Sequence, residues 1–297
     1  MLTALCTEYN EEVAMANNLI LNRLFTLASF HKLIEEMDSN VYSAIIDKYI
    51  DTSYVDTNKD VITEVYNFMR KQYRNQYYYK NTILNKLLLG VHSINTTTAL
   101  TEIPIYTSKA DFVLINGKAV VYEIKTELDN LERLEGQIRN YYKAFDHVCV
   151  LTCDDYAPML LEKFADTRVG VYVLTKKDTI KRLKEPAKFD ESLDLEVIFK
   201  ILNKHEYEEI LIRYYNELPK TSQVKYYSKC RELFLNIPLQ EVYQMFLKIL
   251  KNRNKVINKD SFKKVPYELK SLAYFSQYCD TDYVNLENFL KTRIGGK

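Results

Sequence analysis

Two short apolar runs, Asp111–Ile115 and Ala119–Ile124, flank an Asn116-Gly117 dipeptide in a chain whose other segments carry mostly helical periodicity. Asn-Gly between such runs is the strongest short-range signal for a β-hairpin. Glycine and proline number only six each in 297 residues. So few breakers favour a helix-rich protein with short connections, and the hairpin has to be accommodated among helices.

The remaining segments organise around that hairpin. Residues 5–50 read as helices, with Leu19, Leu21, Leu24, Phe25, Leu27, Leu33 and Ile34 on an apolar stripe. A polar loop at 51–60 is followed by a helix over about 61–75 and a second over 80–89, which Gly90 is placed to end in a left-handed cap. Strands are expected at 100–105, 111–115 and 119–124 as an antiparallel meander. Asp129-x-x-Glu132 has the form of a capping box opening a helix over 129–145. That helix would carry the chain by a right-handed crossover to a parallel strand at 148–151. A helix near 156–165 and a strand at 169–174 complete the core, and helices continue from Pro186 to the end. The fold class is α/β: a mixed sheet of about five strands flanked by helices, with all-α N- and C-terminal extensions. Three segments are expected: a helical region 1–58, a core 59–180 and a helical domain 186–297.

Composition excludes several classes of function. Net charge is +1 and the pI about 7.5, so any nucleic-acid footprint must be local. Five cysteines lie scattered at 6, 149, 153, 230 and 279 without a C-x-x-C pair. They fit reduced thiols of the cytoplasm better than a metal cluster or a disulfide framework. The start has acids and no basic n-region, and no apolar run approaches membrane-spanning length. No glycine-rich phosphate loop occurs, which ranks a nucleotide or small-molecule enzyme low.

Chemistry concentrates at the open end of the hairpin. Asp111 is followed, after eleven residues, by Glu123-Ile124-Lys125. Two carboxylates and an ammonium at neighbouring strand ends can hold a hard divalent cation and a water beside a phosphate. Glu123 and Lys125 share a face, being two apart on a strand. A strict two-residue turn would pair Ile115 with Lys118 and leave Asp111 on the other face. A three-residue turn with Gly117 as a bulge pairs Leu114 with Lys118 and brings Asp111 to their face. The bulged form, or an equivalent slip near the open end, is expected. The bland alternative is an ordinary charged strand end.

The next helix adds Gln137 and Tyr141, one turn apart, with Arg133 one turn before them, on a shoulder beside the buried stripe. Arg133 could hold a phosphate, Gln137 bridge to the site and Tyr141 position substrate. A polar shoulder with a snorkelling tyrosine is the alternative.

Asp111, Glu123-x-Lys125 and Gln137-x-x-x-Tyr141, in this order of elements, resemble the PD-(D/E)XK nuclease superfamily, and the last motif is similar to its RecB-type branch. More locally, residues 77–152 resemble a bacterial and phage-borne family with SKAD and VYEIKTELD at these positions. The resemblance implies a Mg²⁺- or Mn²⁺-dependent phosphodiester hydrolase acting on DNA, with RNA open. Asp111, Glu123 and the Ile124 carbonyl would hold the metal, and Lys125, Gln137 and Tyr141 would assist catalysis. It further implies a bacterial cytoplasmic setting and a role in phage–host conflict or mobile-element maintenance. Ala110 stands where the superfamily often has proline. Glu64 and Glu102 are candidates for a further acidic ligand, and Gln76 sits where a carboxylate would have served. Arg70, Lys71, Arg74, Arg133 and Arg139 are candidate nucleic-acid contacts. The alternative is an inactive nuclease fold that grips a protein or nucleic acid through its helical flanks, with the C-terminal helices as the protein-binding surface.

Overall fold

The structure is a computed structural model and describes residues 18–294. Contacts group the chain into two compact units, one of residues up to Asn85 and from Val256, the other Lys86–Lys255. This is a different partition from the three segments expected from the sequence.

The first unit is helical. It contains α1 (Leu27–Glu36), α2 (Asn40–Tyr49), α3 (Asn58–Gln72) and α4 (Gln76–Ile83). From the C-terminal side come α11 (Lys259–Lys264), α12 (Lys270–Phe275) and α13 (Asp280–Lys291). Thr57 and Asp60 form a reciprocal capping box that starts α3 three residues earlier than periodicity indicates. Asn58 ties the ends of this unit together: it accepts from the Tyr42 hydroxyl at 2.8 Å and donates to the Phe289 carbonyl at 3.0 Å. After α4 the chain continues as a π-helical segment, Leu84–Leu89. Gly90 does not form the expected left-handed cap, since Gly117 is the glycine with positive φ among the described residues. The N–H of His92 reaches the Leu87 carbonyl instead.

The second unit is the α/β body. Its six strands lie in sequence order: β1 (Thr98–Ile105), β2 (Ser108–Asn116), β3 (Lys118–Lys125), β4 (Val148–Thr152), β5 (Gly170–Leu174) and β6 (Ile180–Lys184). β1 to β3 form the antiparallel meander, β4 and β5 add in parallel, and β6 returns antiparallel. β6 is the strand that sequence reading missed. Its residues Ile180-Lys-Arg-Leu-Lys184 are half-buried or exposed, so it lacks an apolar signature. Charged residues are the usual way to blunt such an edge.

Helices α5 (Leu134–Tyr141) and α6 (Ala157–Lys163) follow β3 and β4, and α7 (Leu195–Ile201), α8 (Lys204–Tyr215), α9 (Gln223–Leu235) and α10 (Leu239–Asn252) follow β6. The core joins one face of the sheet, including Val113, Ala119, Val121, Val148, Val150 and Val171, to apolar residues of these helices. Leu134, Ile138 and Tyr141 of α5 cover that face. Continuing the alternation Ala119, Val121 along β3 leads to Glu123 and Lys125. The polar centre therefore lies at the end of an otherwise apolar face, under α5.

Candidate active site

The hairpin turns more tightly than either expected form. Asn116 pairs with Lys118 across Gly117 alone, whose φ is +73°, and pairing runs to Phe112–Tyr122. A side chain at Gly117 would have to adopt a left-handed conformation that only glycine takes without strain. One further step in this register sets Asp111 opposite Glu123. The three-residue turn is thus corrected, while the parity that it required survives: Asp111 shares the face of Glu123 and Lys125. At that step the ladder gives way to a side chain. Asp111 Oδ2 accepts from the Ile124 N–H at 2.9 Å.

Four side chains from β3 and α5 then form one network. Lys125 Nζ lies 3.0 Å from Glu123 Oε1 and donates to Gln137 Oε1 at 3.0 Å. The Tyr141 hydroxyl lies 2.6 Å from Glu123 Oε2 and 2.9 Å from the Lys109 carbonyl. Glu123 is 1% exposed, Lys125 8% and Tyr141 0%. Burial pushes the Glu123 carboxyl above its ordinary range, opposed by the Lys125 charge and by hydrogen bonds from Tyr141, Lys125 and Gln137. Burial, then the Glu123 charge, pushes the Tyr141 phenol far up, so it remains a donor.

Tyr141 is fully buried, which departs from the helix shoulder where helical spacing placed it and leaves no room for the snorkelling alternative. Its hydroxyl has two acceptors within reach inside the protein, Glu123 Oε2 and the Lys109 carbonyl, so the ring need not reach water. Helix α5 also begins at Leu134 rather than near Asp129. The Asp129 carboxylate bonds back to the N–H and hydroxyl of Thr126, each at 2.8 Å, and closes a turn after Lys125. The Tyr156 hydroxyl donates to the Asp129 carbonyl at 3.0 Å and anchors that turn. Thr126 and Tyr156 were not singled out by sequence reading, and Asp129 only as the cap of a helix; the T-x-x-D spacing after Lys125 was the visible signal of this turn. Asn140, next to Tyr141, donates to the hydroxyls of Thr107 and Ser108 at 3.0 and 2.8 Å. It holds the β1–β2 turn against α5.

The other candidates fall elsewhere. Glu102 is exposed and lies 3.5 Å from Lys109 in an ion pair. Arg133 is exposed at the start of α5, and the exposed Arg139 sits 3.8 Å from Glu135. Glu64, Arg70, Lys71, Arg74 and Gln76 belong to the helical unit. Glu64 accepts from Asn67 at 3.5 Å, and the Arg74 guanidinium lies over the Tyr78 ring. Cys149, Cys153 and Cys230 are buried free thiols, as expected of strand and helix packing; Cys6 lies outside the described residues.

Among the described residues no group of three or more His, Cys, Asp or Glu side chains is placed to hold a metal ion. Asp111 and Glu123 supply an all-oxygen pair on one face. That suits Mg²⁺, which commonly takes one or two carboxylates and completes its shell with water and phosphate. Among the described residues no helix is long and apolar enough to cross a membrane.

The family model of bacteriophage P4 protein cII matches residues 69–273, well over half of the sequence. The chain belongs to that family. Protein cII of Enterobacteria phage P4 is 23% identical over 158 residues, which span 52% of this chain and 58% of that relative's length. A solved structure of a protein of unknown function from Silicibacter pomeroyi aligns at 11% identity with a TM-score of 0.28, covering 43% of this chain and 87% of that one. The cII-family match takes in Asp111, Glu123, Lys125, Gln137 and Tyr141, while Glu64 precedes it.

Proposed function

We propose that this cII-family protein is a divalent-metal-dependent nuclease of the PD-(D/E)XK type, hydrolysing DNA phosphodiester bonds. The observation that carries the reading is the buried Glu123–Lys125–Gln137–Tyr141 network, assembled from β3 and α5 beside Asp111. Asp111 and Glu123, with the Ile124 carbonyl, would hold Mg²⁺ or Mn²⁺. The ion would polarise the scissile phosphate and make bound water more acidic. Lys125 orients the attacking water and offsets negative charge developing on the phosphate. Gln137 holds the Lys125 ammonium in place, and Tyr141 fixes one oxygen of Glu123 so that the other faces Lys125. Arg133 and Arg139, exposed on the same helix, are suited to contact phosphate. The relative's origin in Enterobacteria phage P4 supports a phage-borne role, in phage–host conflict or mobile-element maintenance.

A second reading is an inactive fold that binds a protein or nucleic acid. The Lys125–Glu123 ion pair favours it, because Lys125 already neutralises one of only two carboxylates.

One experiment separates them. The protein is incubated with labelled single-stranded, duplex and branched DNA and with RNA, in Mg²⁺, Mn²⁺ or EDTA, beside Asp111→Ala and Lys125→Ala. Cleavage that requires metal and disappears in both variants is expected. Cleavage in EDTA, or variants as active as the parent, would remove the nuclease reading. Metal-independent retention of DNA without cleavage would establish the binder.

A further inference from the structure

We infer that Glu102 is a positioning residue that acts through its backbone: its left-handed conformation opens the β1–β2 ladder at Asp111 and so sets the Asp111 carboxylate against β3. The consequence for catalysis rests on the nuclease reading; the positioning itself does not.

Six non-glycine residues have positive φ among the described residues. Met37 and Asn216 are left-handed caps at the ends of α1 and α8. Tyr106 lies in the β1–β2 turn, Asp178 in the β5–β6 turn and Gln277 between α12 and α13. Such places favour that conformation. Glu102, at φ +57°, stands inside a strand. A glutamate gains nothing locally from a left-handed conformation, because its Cβ crowds the following carbonyl. The surrounding structure must hold it there.

What it accomplishes is visible in the register. Thr101 pairs with Phe112 and Ile103 with Ala110, the same register on both sides, and the pairing passes over Glu102 and Asp111. The Asp111 carbonyl is taken by the Thr101 hydroxyl at 2.8 Å. On its other side the β2–β3 pairing stops at Phe112–Tyr122, and the Asp111 carboxylate binds the Ile124 N–H. Asp111 thus sits at a break in both ladders. The Thr101 hydroxyl holds its carbonyl, and its own carboxylate takes the Ile124 N–H. The Glu102 carboxylate lies 3.5 Å from the Lys109 ammonium, and both residues are exposed.

Amide hydrogen exchange at Ile124 tests this without reference to activity. Asp111→Ala gives the reference for loss of the bond. Glu102→Gly and Glu102→Gln should exchange at Ile124 within about threefold of the parent, because both accept the backbone geometry that exists now. Glu102→Val, whose branched Cβ resists positive φ, should exchange at least ~10-fold faster, toward the Asp111→Ala rate, with the Val150 and Leu151 amides unchanged. Thr101→Val, which removes the hydroxyl on the Asp111 carbonyl, should move Ile124 in the same direction if Glu102→Val does not fold. Unchanged exchange in both valine variants would overturn the inference. So would a Glu102→Gly variant as fast as Asp111→Ala. Titration with Mn²⁺ adds a third check: Glu102→Gln should bind like the parent, and a loss equal to that of Asp111→Ala would make Glu102 a ligand instead. If the exchange pattern holds while the parent cleaves no nucleic acid, the nuclease reading fails and the positioning stands.

Discussion

Tyr141 and Tyr142 are adjacent, both are buried, and removing one oxygen from each should have opposite effects. The Tyr141 hydroxyl supplies the hydrogen bond at 2.6 Å to a Glu123 carboxylate that is 1% exposed. Tyr141→Phe leaves the ring volume in place, so no cavity of side-chain size opens. What disappears is a donor to a buried charge, worth about 1.5–3 kcal/mol. Water cannot replace it readily at that depth, so we expect a loss near 2 kcal/mol, or about 30-fold in the opening equilibrium. The Tyr142 hydroxyl is buried without a hydrogen-bond partner among the described residues. Tyr142→Phe removes an unsatisfied group and should be neutral or stabilising by up to about 1 kcal/mol. Because the chain forms two units, the readout should be local: native-state hydrogen exchange of β3 and β4 amides in each variant. Equal shifts in the two phenylalanine variants would refute the assignment, since the Glu123 contact is what separates them.

Three further outcomes follow from other parts of the molecule. Burial alone would raise the Asp146 carboxyl, but hydrogen bonds from His147 and Tyr243 outweigh it and hold it below its ordinary value of 3.8. A depressed carboxyl contributes stability that is present above its unfolded pKa and is lost as pH falls through the folded one. Tyr243→Phe should therefore cost about 1.5–3 kcal/mol at neutral pH and progressively less below about pH 4, measured by urea denaturation across pH. Asn81 is fully buried; it donates to the Tyr66 hydroxyl and the Tyr267 carbonyl at 2.9 Å each and accepts from the Ser271 N–H at 3.0 Å. Asn81→Leu should destabilise the helical unit by about 3 kcal/mol, seen as faster exchange in α3 and α12 with β3 unaffected. A Cβ at Gly170 would meet Pro186 Cδ and N at 2.7 Å. Gly170→Ala should cost about 1–3 kcal/mol through displacement of the segment after β6, and an unchanged melting temperature would count against that packing.

The parts legible in the sequence are those governed by local rules. Asn116-Gly117 and the apolar runs around it marked the hairpin, and the apolar stripes of α3 and α5 marked which sides are buried. Elements held by nonlocal or side-chain bonds were harder to see. β6 is an edge strand of mostly charged residues, so its period is invisible. The start of α5 was displaced because Asp129 spends its carboxylate on Thr126, upstream, rather than on the helix. The hairpin register depended on a one-residue turn at Gly117, which pairing rules for commoner turns do not include. Tyr141 illustrates the same limit at the site. Spacing put it beside Gln137, but only the Glu123 and Lys109 acceptors, both distant in sequence, explain its burial.

The buried Glu123–Lys125 pair also allows structural and functional rationales to be separated. Breaking a buried ion pair by removing one partner costs about 3–5 kcal/mol, whereas replacing both partners by apolar groups of similar size is often neutral or stabilising. Glu123→Leu would leave the Lys125 ammonium, 8% exposed, with the Gln137 side-chain oxygen as its acceptor in the network. Lys125→Met would leave a carboxylate held by hydrogen bonds from Tyr141 and Gln137 but without its neighbouring positive charge. We expect each single variant to lose about 3 kcal/mol and the double variant to lie within about 1 kcal/mol of the parent or above it. The Tyr141 hydroxyl keeps the Lys109 carbonyl as its acceptor in the double variant, so no new orphan is created on that side. Hydrogen exchange in β4 measures the stabilities, and the cleavage assay measures what is lost with them. A double variant that is stable but inactive would mean that these charges serve the chemistry of the site rather than the fold. A double variant as unstable as the two single losses combined would mean that the network is structural, and it would withdraw the support that the nuclease reading draws from it.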